Sequence, residues 1–255
     1  MPHFGGSWSP PQNRLLLALR GPERARFRQK LQSAVLPLGQ VLHEPGERLE
    51  YVYFPTSSLI SLVYTMRDGA TAEMGLVGND GVLGVELLLG GETAPHRAIV
   101  QIAGEALRIP ARLFQHEVAP GADLERVLLR YTHCLLTQIS QSAVCNRLHS
   151  MEQRLCRWLL MCHDRSNRGE LVMTQELIAN LLGGRRESVT VAAGRLQDAE
   201  LIHYHRGRIK VLDRNGLESS ACECYGVVQA EIDRLFSSGP GWLFSQPDEA
   251  LRAAK

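Results

Sequence analysis

Residues Met173 to Arg195 read MTQELIANLLGGRRESVTVAAGR, and the architecture of the second half of the chain follows from this stretch. Thr174 is suited to cap a helix, because its hydroxyl can accept from an unpaired first-turn amide. Gly183 and Gly184 predict a sharp turn, since glycine readily takes the left-handed conformation. A second helix should follow. Apolar residues recur at helical spacing on both sides of the turn: Leu177, Ile178, Leu181, Leu182, Val189, Ala192, Ala193 and Leu196. The pattern fits a DNA-binding helix-turn-helix or an ordinary helical hairpin.

The residues after this hairpin predict a small β-hairpin, or wing. Leu201 to Tyr204 and Arg208 to Leu212 are β-prone, and His205-Arg206-Gly207 forms the bend between them. Together with MEQRLCRWLL from Met151, these segments resemble the C-terminal domain of Crp/Fnr-type bacterial transcription regulators. The resemblance implies a homodimer whose second helix reads a palindromic site on double-stranded DNA, and it implies RNA polymerase as a partner.

The resemblance places the DNA-reading residues at the start of a recognition helix, Arg186–Asp198. Arg186 can donate two hydrogen bonds to guanine, and Glu187 can accept from cytosine. Thr190 and Val191 complete the base-reading set, and Val191 replaces an arginine that is frequent in the family. Contacts to the DNA backbone are expected from Thr174, Gln175, Arg185, Ser188, Arg206 and Arg208. Gly184 is expected to cap the helix. The alternative for Arg186 and Glu187 is a solvated surface ion pair.

The composition of the 255-residue chain favours two folded domains with a cytoplasmic location. No apolar run is long enough for a membrane span, and the N-terminus lacks the pattern of a secretory signal. Six cysteines without an export signal indicate reduced thiols. The segment from Met151 to Asn215 carries eleven Arg or Lys and eight Asp or Glu, a net charge of +3. This excess favours DNA binding but does not establish it.

Between Ala34 and Leu113 the apolar period changes to two, and glycines recur, which predicts an antiparallel β-roll. The fold class is therefore α+β: an N-terminal β-roll, a long dimerisation helix and a C-terminal winged helix-turn-helix. The predicted divisions are an arm and sensor-like roll at 1–118, the dimerisation helix at 119–150, the DNA-binding domain at 151–236 and a tail at 237–255.

The roll resembles that of cyclic-nucleotide-sensing regulators, in which a Glu, an Arg and a Ser hold the ligand. Glu86 and Arg97 stand near the positions of the family's Glu and Arg, but Ala98 replaces the serine and Val85 replaces a glycine. Cyclic-nucleotide binding at a pocket of Glu86, Arg97 and Ala98 is therefore disfavoured, and no cofactor is expected. Glu86 and Arg97 are expected to be ordinary roll residues that pair with each other. A different effector in the roll stays open.

A heptad seam runs along the segment from Ala119 to His149. It contains Leu124, Leu128, Tyr131, Leu135, Gln138, Ser142 and Cys145. In the family a helix at this place pairs with its copy, so the seam is expected to form the dimer. The same helix could equally pack on its own roll.

The cysteines are expected to be core residues rather than metal ligands. Cys134, Cys145 and Cys156 are spaced by eleven, which places them near one face of a continuous helix. Cys222 and Cys224, in a helical segment from Gly216 to Phe236, are too isolated a pair for a four-ligand site. No metal site is predicted.

These observations predict a homodimeric, sequence-specific transcription regulator that is not an enzyme. One alternative is the same regulator gated by a cyclic nucleotide or another small effector in the roll. A remote alternative is an enzyme that uses the roll as a catalytic barrel. His43, His96 and His116 are scattered in the sequence, and no nucleophile or phosphate-binding motif is present.

Overall fold

The computed structural model describes residues 12–166 and 170–237, so most of the predicted N-terminal arm and C-terminal tail lies outside the described residues. The helices in this part are α1 (Arg14–Ala18), α2 (Gly21–Arg28), α3 (Ala111–Glu117), α4 (Asp123–Leu148), α5 (Met151–Arg165), α6 (Gln175–Leu181), α7 (Arg186–Asp198), α8 (Arg214–Ser220) and α9 (Glu223–Phe236). The strands are β1 (Gln32–Leu36), β2 (Val41–His43), β3 (Tyr51–Pro55), β4 (Leu59–Thr65), β5 (Thr71–Val77), β6 (Arg97–Ile102), β7 (Gly104–Pro110), β8 (Leu171–Val172), β9 (Ile202–His205) and β10 (Arg208–Val211). None of the described helices is long and apolar enough to cross a membrane.

The first seven strands form the predicted antiparallel roll. One sheet has the order β1-β7-β3 and the other has the order β2-β6-β4-β5. Side chains from both sheets, including Phe54, Ile109, Leu62 and Val100, belong to one buried cluster. The strands could be predicted because β-prone runs separated by glycine turns are local signals. The short helix α3 was not predicted.

Helix α4 packs its heptad seam against its own roll, which corrects the expectation that this seam forms the dimer. Four of its apolar members are buried, together with Gln138. They are Leu124, Leu128, Tyr131 and Leu135, and all belong to the core cluster of the roll. Gly81 permits this approach, since a Cβ there would overlap the ring of Tyr131. The seam also meets α9, and Ser142 is half-buried.

The opposite side of α4 is apolar and exposed. Leu129 is 47% exposed and Leu136 is 57% exposed, and Ala143 follows at the same spacing of seven. Val144, next to Ala143, is 44% exposed. Helix α4 therefore carries two apolar faces, and the part of the chain that the structure describes covers one of them.

The winged helical domain shares its core with the outer face of the roll. The cluster that contains Leu155, Leu159 and Val189 from the helices also contains Leu59 and Leu76 from β4 and β5. Helix α5 starts with a capping box between Ser150 and Gln153, as expected for a helix that begins directly after a break. The two predicted domains thus meet across a continuous apolar contact.

Buried polar groups cross the same contact. Arg165 of α5 forms an ion pair with Asp80, with Nε and Oδ2 3.0 Å apart, and donates to Gln138 of α4. Gln138 in turn donates to the carbonyl oxygen of Leu76. The roll, α4 and the winged domain are therefore joined by hydrogen bonds as well as by apolar packing.

One sequence expectation about helix continuity was wrong, and the condition for aligning three cysteines is not met. The segment from Gly216 to Phe236 is two helices, because the chain turns at Ala221 and Cys222 between α8 and α9. The helix that would align Cys134, Cys145 and Cys156 is broken at His149 and Ser150. The three thiols accordingly lie in different surroundings: Cys134 contacts the carbonyl of Glu231, Cys145 contacts Cys222, and Cys156 belongs to the winged-domain core.

Candidate nucleic-acid interface

Helices α6 and α7 form the predicted hairpin with a glycine turn. The hydroxyl of Thr174 caps α6 by accepting from the amide of Leu177, as predicted. Gly183 has a φ of +59°, and a Cβ at Gly184 would overlap Met151. Glycine is therefore favoured at position 183 by its backbone conformation, whereas a Cβ at Gly184 would meet only the flexible end of the Met151 side chain. Leu177, expected to point inward, is exposed at the edge of α6.

The exposed face of α7 carries the four predicted base-reading residues. Arg186, Glu187, Thr190 and Val191 are all exposed, and Val191 is 55% exposed. The inward residues Val189, Ala192, Ala193 and Leu196 are buried as predicted. Among the described residues neither Arg186 nor Glu187 forms an ion pair, so the solvated-pair alternative does not hold in this structure. Both side chains are free to approach a ligand.

The start of α7 exposes unpaired backbone amides. Arg185, not Gly184, occupies the cap position, and its side chain makes no capping hydrogen bond. The positive end of the helix dipole and these amides favour a phosphate oxygen. Ser188 is exposed beside them. Gln175 is half-buried and accepts a hydrogen bond from Thr190, which couples the two helices.

The wing is a three-stranded sheet in the order β8-β10-β9. Its two-residue turn, Arg206-Gly207, has a φ of +48° at Arg206 and +73° at Gly207, values typical of a type I′ hairpin. Arg206 and Arg208 are exposed, and Arg208 pairs with Glu170. The predicted backbone-contacting residues of the wing are thus accessible.

The wing also presents basic residues that the site prediction left out. His203 pairs across the strands with Lys210, and His205 pairs with Arg208. Because directly opposed residues share a face of the sheet, these four side chains lie on one exposed face. The alternation of polar and apolar residues in IHYH and RIKV is the signal that could have found them.

The roll residues Glu86 and Arg97 do not pair with each other, contrary to expectation. Arg97 forms two hydrogen bonds to Glu44, at 2.8 and 2.7 Å. Ala98 is fully buried and offers no hydroxyl. In this structure the guanidinium of Arg97 is thus engaged by a carboxylate, and the family's serine position is filled by a core methyl group.

Glu86 lies instead in a buried polar cluster with two histidines. Its Oε1 is 3.6 Å from Nε2 of His96, and the rings of His96 and His43 are 5.4 Å apart. Burial, and to a lesser extent the neighbouring His43, lowers the pKa of His96 from 6.5 to about 4. Burial also raises the pKa of Glu86. His43 and His96, scattered in the sequence, are thus brought together by the pairing of β2 with β6.

The cluster adjoins an open groove. The groove has a volume of about 700 Å³, and His43, Leu87 and Arg112 contribute to its lining. Both ring nitrogens of His96 and Oε2 of Glu86 lack hydrogen-bond partners among the described residues. Buried polar atoms without partners are costly, so this cluster is a feature that packing alone does not explain.

Comparison with known proteins gives the same two-part division. A family model described as a cyclic nucleotide-binding domain matches residues 34–119, and one described as a Crp-like helix-turn-helix domain matches residues 153–220. A global nitrogen regulator of Synechococcus elongatus is 26% identical over 203 residues, which cover 72% of this chain and 90% of that protein.

Solved structures share the fold. FixK2 from Bradyrhizobium japonicum superposes with a TM-score of 0.64 at 17% identity, over 75% of this chain and 98% of that chain. The c-di-GMP responsive global regulator CLP of Xanthomonas campestris gives 0.57 at 20% identity, over 74% of this chain and 98% of that one.

A roll of the cyclic-nucleotide-binding type followed by a winged helix-turn-helix defines a DNA-binding transcription regulator. The two matched domains, in this order, are the architecture of Crp/Fnr-type transcription regulators.

Proposed function

We propose that the chain acts as a homodimer that places α7 of each copy in the major groove of a palindromic DNA site. The observation that carries this proposal is the exposed face of Arg186, Glu187, Thr190 and Val191 at the start of α7. The unpaired amides beside it and the basic face of the wing supply contacts to phosphate. Two copies related by a dyad would read half-sites about one helical turn apart. Selection of bound DNA from a random pool tests the symmetry, the spacing and the base opposite Val191.

Replacing Arg186 by alanine is expected to weaken binding to the preferred site by about 1–3 kcal/mol, with the loss confined to one base pair. The reason is that a bidentate contact to guanine discriminates among bases, whereas a phosphate contact does not. Fluorescence anisotropy with the selected site and its single-base variants measures both effects. Arg195→Ala is the matched control, because Arg195 lies on the same helix and pairs with Glu152. A uniform loss across all sequences would remove Arg186 from base reading.

We propose that the dimer forms through the exposed side of α4, not through the seam first expected. Leu129, Leu136 and Ala143 recur every seven residues, the spacing of two helices that pack along their length. A second copy of the same helix would cover this stripe and leave the buried seam in contact with the roll. The family resemblance supports the same helix as the dimer element.

Leu136→Asp is expected to weaken dimerisation at least about tenfold, since it puts a charge into a desolvated apolar contact. Sedimentation velocity over a concentration series measures the change. Leu89→Asp on the roll, where the leucine is 63% exposed, is the control and should leave the association unchanged. Equal association of Leu136→Asp and the wild type would exclude this face from the dimer.

We propose that the Glu86, Arg97 and Ala98 positions do not bind a cyclic nucleotide, and that no cofactor is needed for DNA binding. The Arg97–Glu44 pair and the buried Ala98 support this. Calorimetric titration with cyclic AMP and cyclic GMP, with and without DNA, is expected to give no saturable heat. Saturable binding that tightens DNA affinity would establish the gated alternative with a nucleotide.

A regulator gated by another small effector is the second candidate. The observation that favours it is the buried cluster of His43, Glu86 and His96 beside the groove, with polar atoms that lack partners. The enzyme alternative has the same cluster as its only support, and we propose that the chain is not an enzyme, because its relatives are regulators. Action in the cytoplasm and contact with RNA polymerase are proposed from the family resemblance.

A further inference from the structure

Four potential metal ligands converge between the end of α4 and the turn that joins α8 to α9. Cys145 and His149 come from the former, and Cys222 and Cys224 from the latter. The Sγ atoms of Cys145 and Cys222 are 3.5 Å apart, and Sγ of Cys224 is 3.6 Å from Nδ1 of His149. All four ligand atoms lie within 4.8 Å of one another, and the three cysteines are buried. Cys222 and Cys224 looked too isolated in the sequence to bind a metal, but in the folded chain Cys145 and His149 lie beside them.

The spacing suits a tetrahedral zinc ion. Zinc binds thiolate sulfur at about 2.3 Å and imidazole nitrogen at about 2.0–2.1 Å, so ligand atoms at the corners of a tetrahedron lie about 3.3–3.8 Å apart. The Cys145–Cys222 and Cys224–His149 separations fall in this range, and the other ligand atoms, within 4.8 Å of one another, need to close by about 1 Å at most. His149, the cap residue directly after α4, follows Cys145 by four residues, about one helical turn, so both lie at the same end of the helix. Cys222 is the cap residue of α9 and Cys224 is the second residue of the helix, so the two cysteines flank its first residue, Glu223.

A carboxylate orients the histidine in the way that metal-binding histidines require. Nε2 of His149 lies 3.2 Å from Oε2 of Glu223, while Nδ1 faces the thiols. A carboxylate on the far nitrogen fixes the ring and its tautomer, and this arrangement is general around protein-bound zinc. The contact between His149 and Glu223 is an observation independent of the cysteine cluster, and it also points to a bound zinc ion.

The surrounding charge also suits the ion. Zinc with three thiolates carries a net charge of −1. The guanidinium of Arg157 interacts electrostatically with Cys145 and Cys224, and that of Arg154 interacts with Cys145. Both arginines are nearly buried on α5, and Arg157 is held there by a hydrogen bond to Ser142. Cationic side chains thus stand beside a centre that would be anionic.

We propose that Cys145, His149, Cys222 and Cys224 form a structural zinc site of the Cys₃His type. The site joins the C-terminal end of α4 to the start of α9, directly beside the break at His149 and Ser150 that separates the dimerisation helix from the winged domain. Zinc there restrains the angle between these two parts. This inference goes beyond DNA binding and does not depend on it.

The test uses the full chain purified under reducing conditions. Elemental analysis is expected to find one zinc ion per chain, and cobalt substituted for zinc is expected to show the intense charge-transfer absorption of thiolate ligands. Cys222→Ser and Cys224→Ser should each lose the stoichiometric metal. Cys134→Ser should keep it, since Cys134 lies on the same helix and packs against α9 but outside the cluster. Glu223→Ala should weaken zinc affinity about tenfold.

Glu223 is 77% exposed, so its replacement tests the site even if the cysteine variants fail to fold. Zinc content that is unchanged in Cys222→Ser, or cobalt spectra without thiolate bands, would overturn the proposal. An iron–sulfur cluster, recognised by iron with acid-labile sulfide, would also overturn it. So would a Cys145–Cys222 disulfide in the purified chain, recognised by a mass two hydrogens lower.

Discussion

Arg165→Ala is expected to lower the free energy of unfolding by about 3–5 kcal/mol, because it leaves the carboxylate of Asp80 buried without its partner. The side chains of Arg165 and Asp80 are only 5% and 7% exposed, so water cannot replace the lost charge. The same substitution removes a donor to Gln138. Removing one member of a buried pair costs more than the pair contributes, since the remaining charge keeps its desolvation penalty.

Urea denaturation followed by tryptophan fluorescence measures this loss. Arg195→Ala is the control: its ion pair with Glu152 is exposed, and its removal should cost less than about 1 kcal/mol. The double variant Arg165→Ala/Asp80→Asn should recover part of the loss, since no unpaired charge remains. A loss no larger than that of the control would show that the roll and α5 do not depend on this ion pair.

The pH dependence of stability is expected to change shape in Glu73→Gln. Burial raises the pKa of Glu73 from 4.5 to about 7, although hydrogen bonds from Ser61 and Trp158 lower it in part. The folded state therefore binds more protons than the unfolded state between these values. The contribution of Glu73 to the free energy of unfolding is fully present below pH 4.5 and is lost as the pH rises through 7. The shift corresponds to at most about 3 kcal/mol, and less where solvent reaches the residue.

His96 acts in the opposite direction. Its pKa is lowered from 6.5 to about 4, so its contribution is present above pH 6.5 and is lost as the pH falls through 4. The size is again about 3 kcal/mol. In the wild type the two groups largely cancel between pH 4.5 and 6.5. In Glu73→Gln only the rise with pH from His96 remains, and in His96→Gln only the fall from Glu73 remains.

Urea midpoints measured from pH 4 to 8 for the wild type and both variants give the two difference curves. Other titrating groups are common to all three proteins and cancel in the differences. Difference curves with opposite slopes are expected. If the difference in urea midpoint between each variant and the wild type does not change with pH, the assignment of buried, titrating groups at Glu73 and His96 is contradicted.

Local sequence patterns predicted most of the fold. The antiparallel roll, the N-cap of α6 and the glycine turn were all predictable, because β-prone runs, capping and left-handed glycine depend on neighbours in the sequence. Local sequence patterns did not predict which charged side chains form ion pairs with each other. Arg97 was expected to meet Glu86 but meets Glu44, since strand register decides which side chains come together.

The sequence by itself determined the helix-turn-helix from Met173 to Arg195, its wing and the exposed reading face of α7. Only the tertiary structure decided which side of α4 is covered by the roll, and only it brought Cys145 and His149 to Cys222 and Cys224. The physical reason is that periodicity shows that a helix has an apolar face but not what will cover it. Contacts between distant segments depend on how the packed elements meet, and that information is not contained in any one stretch of the chain.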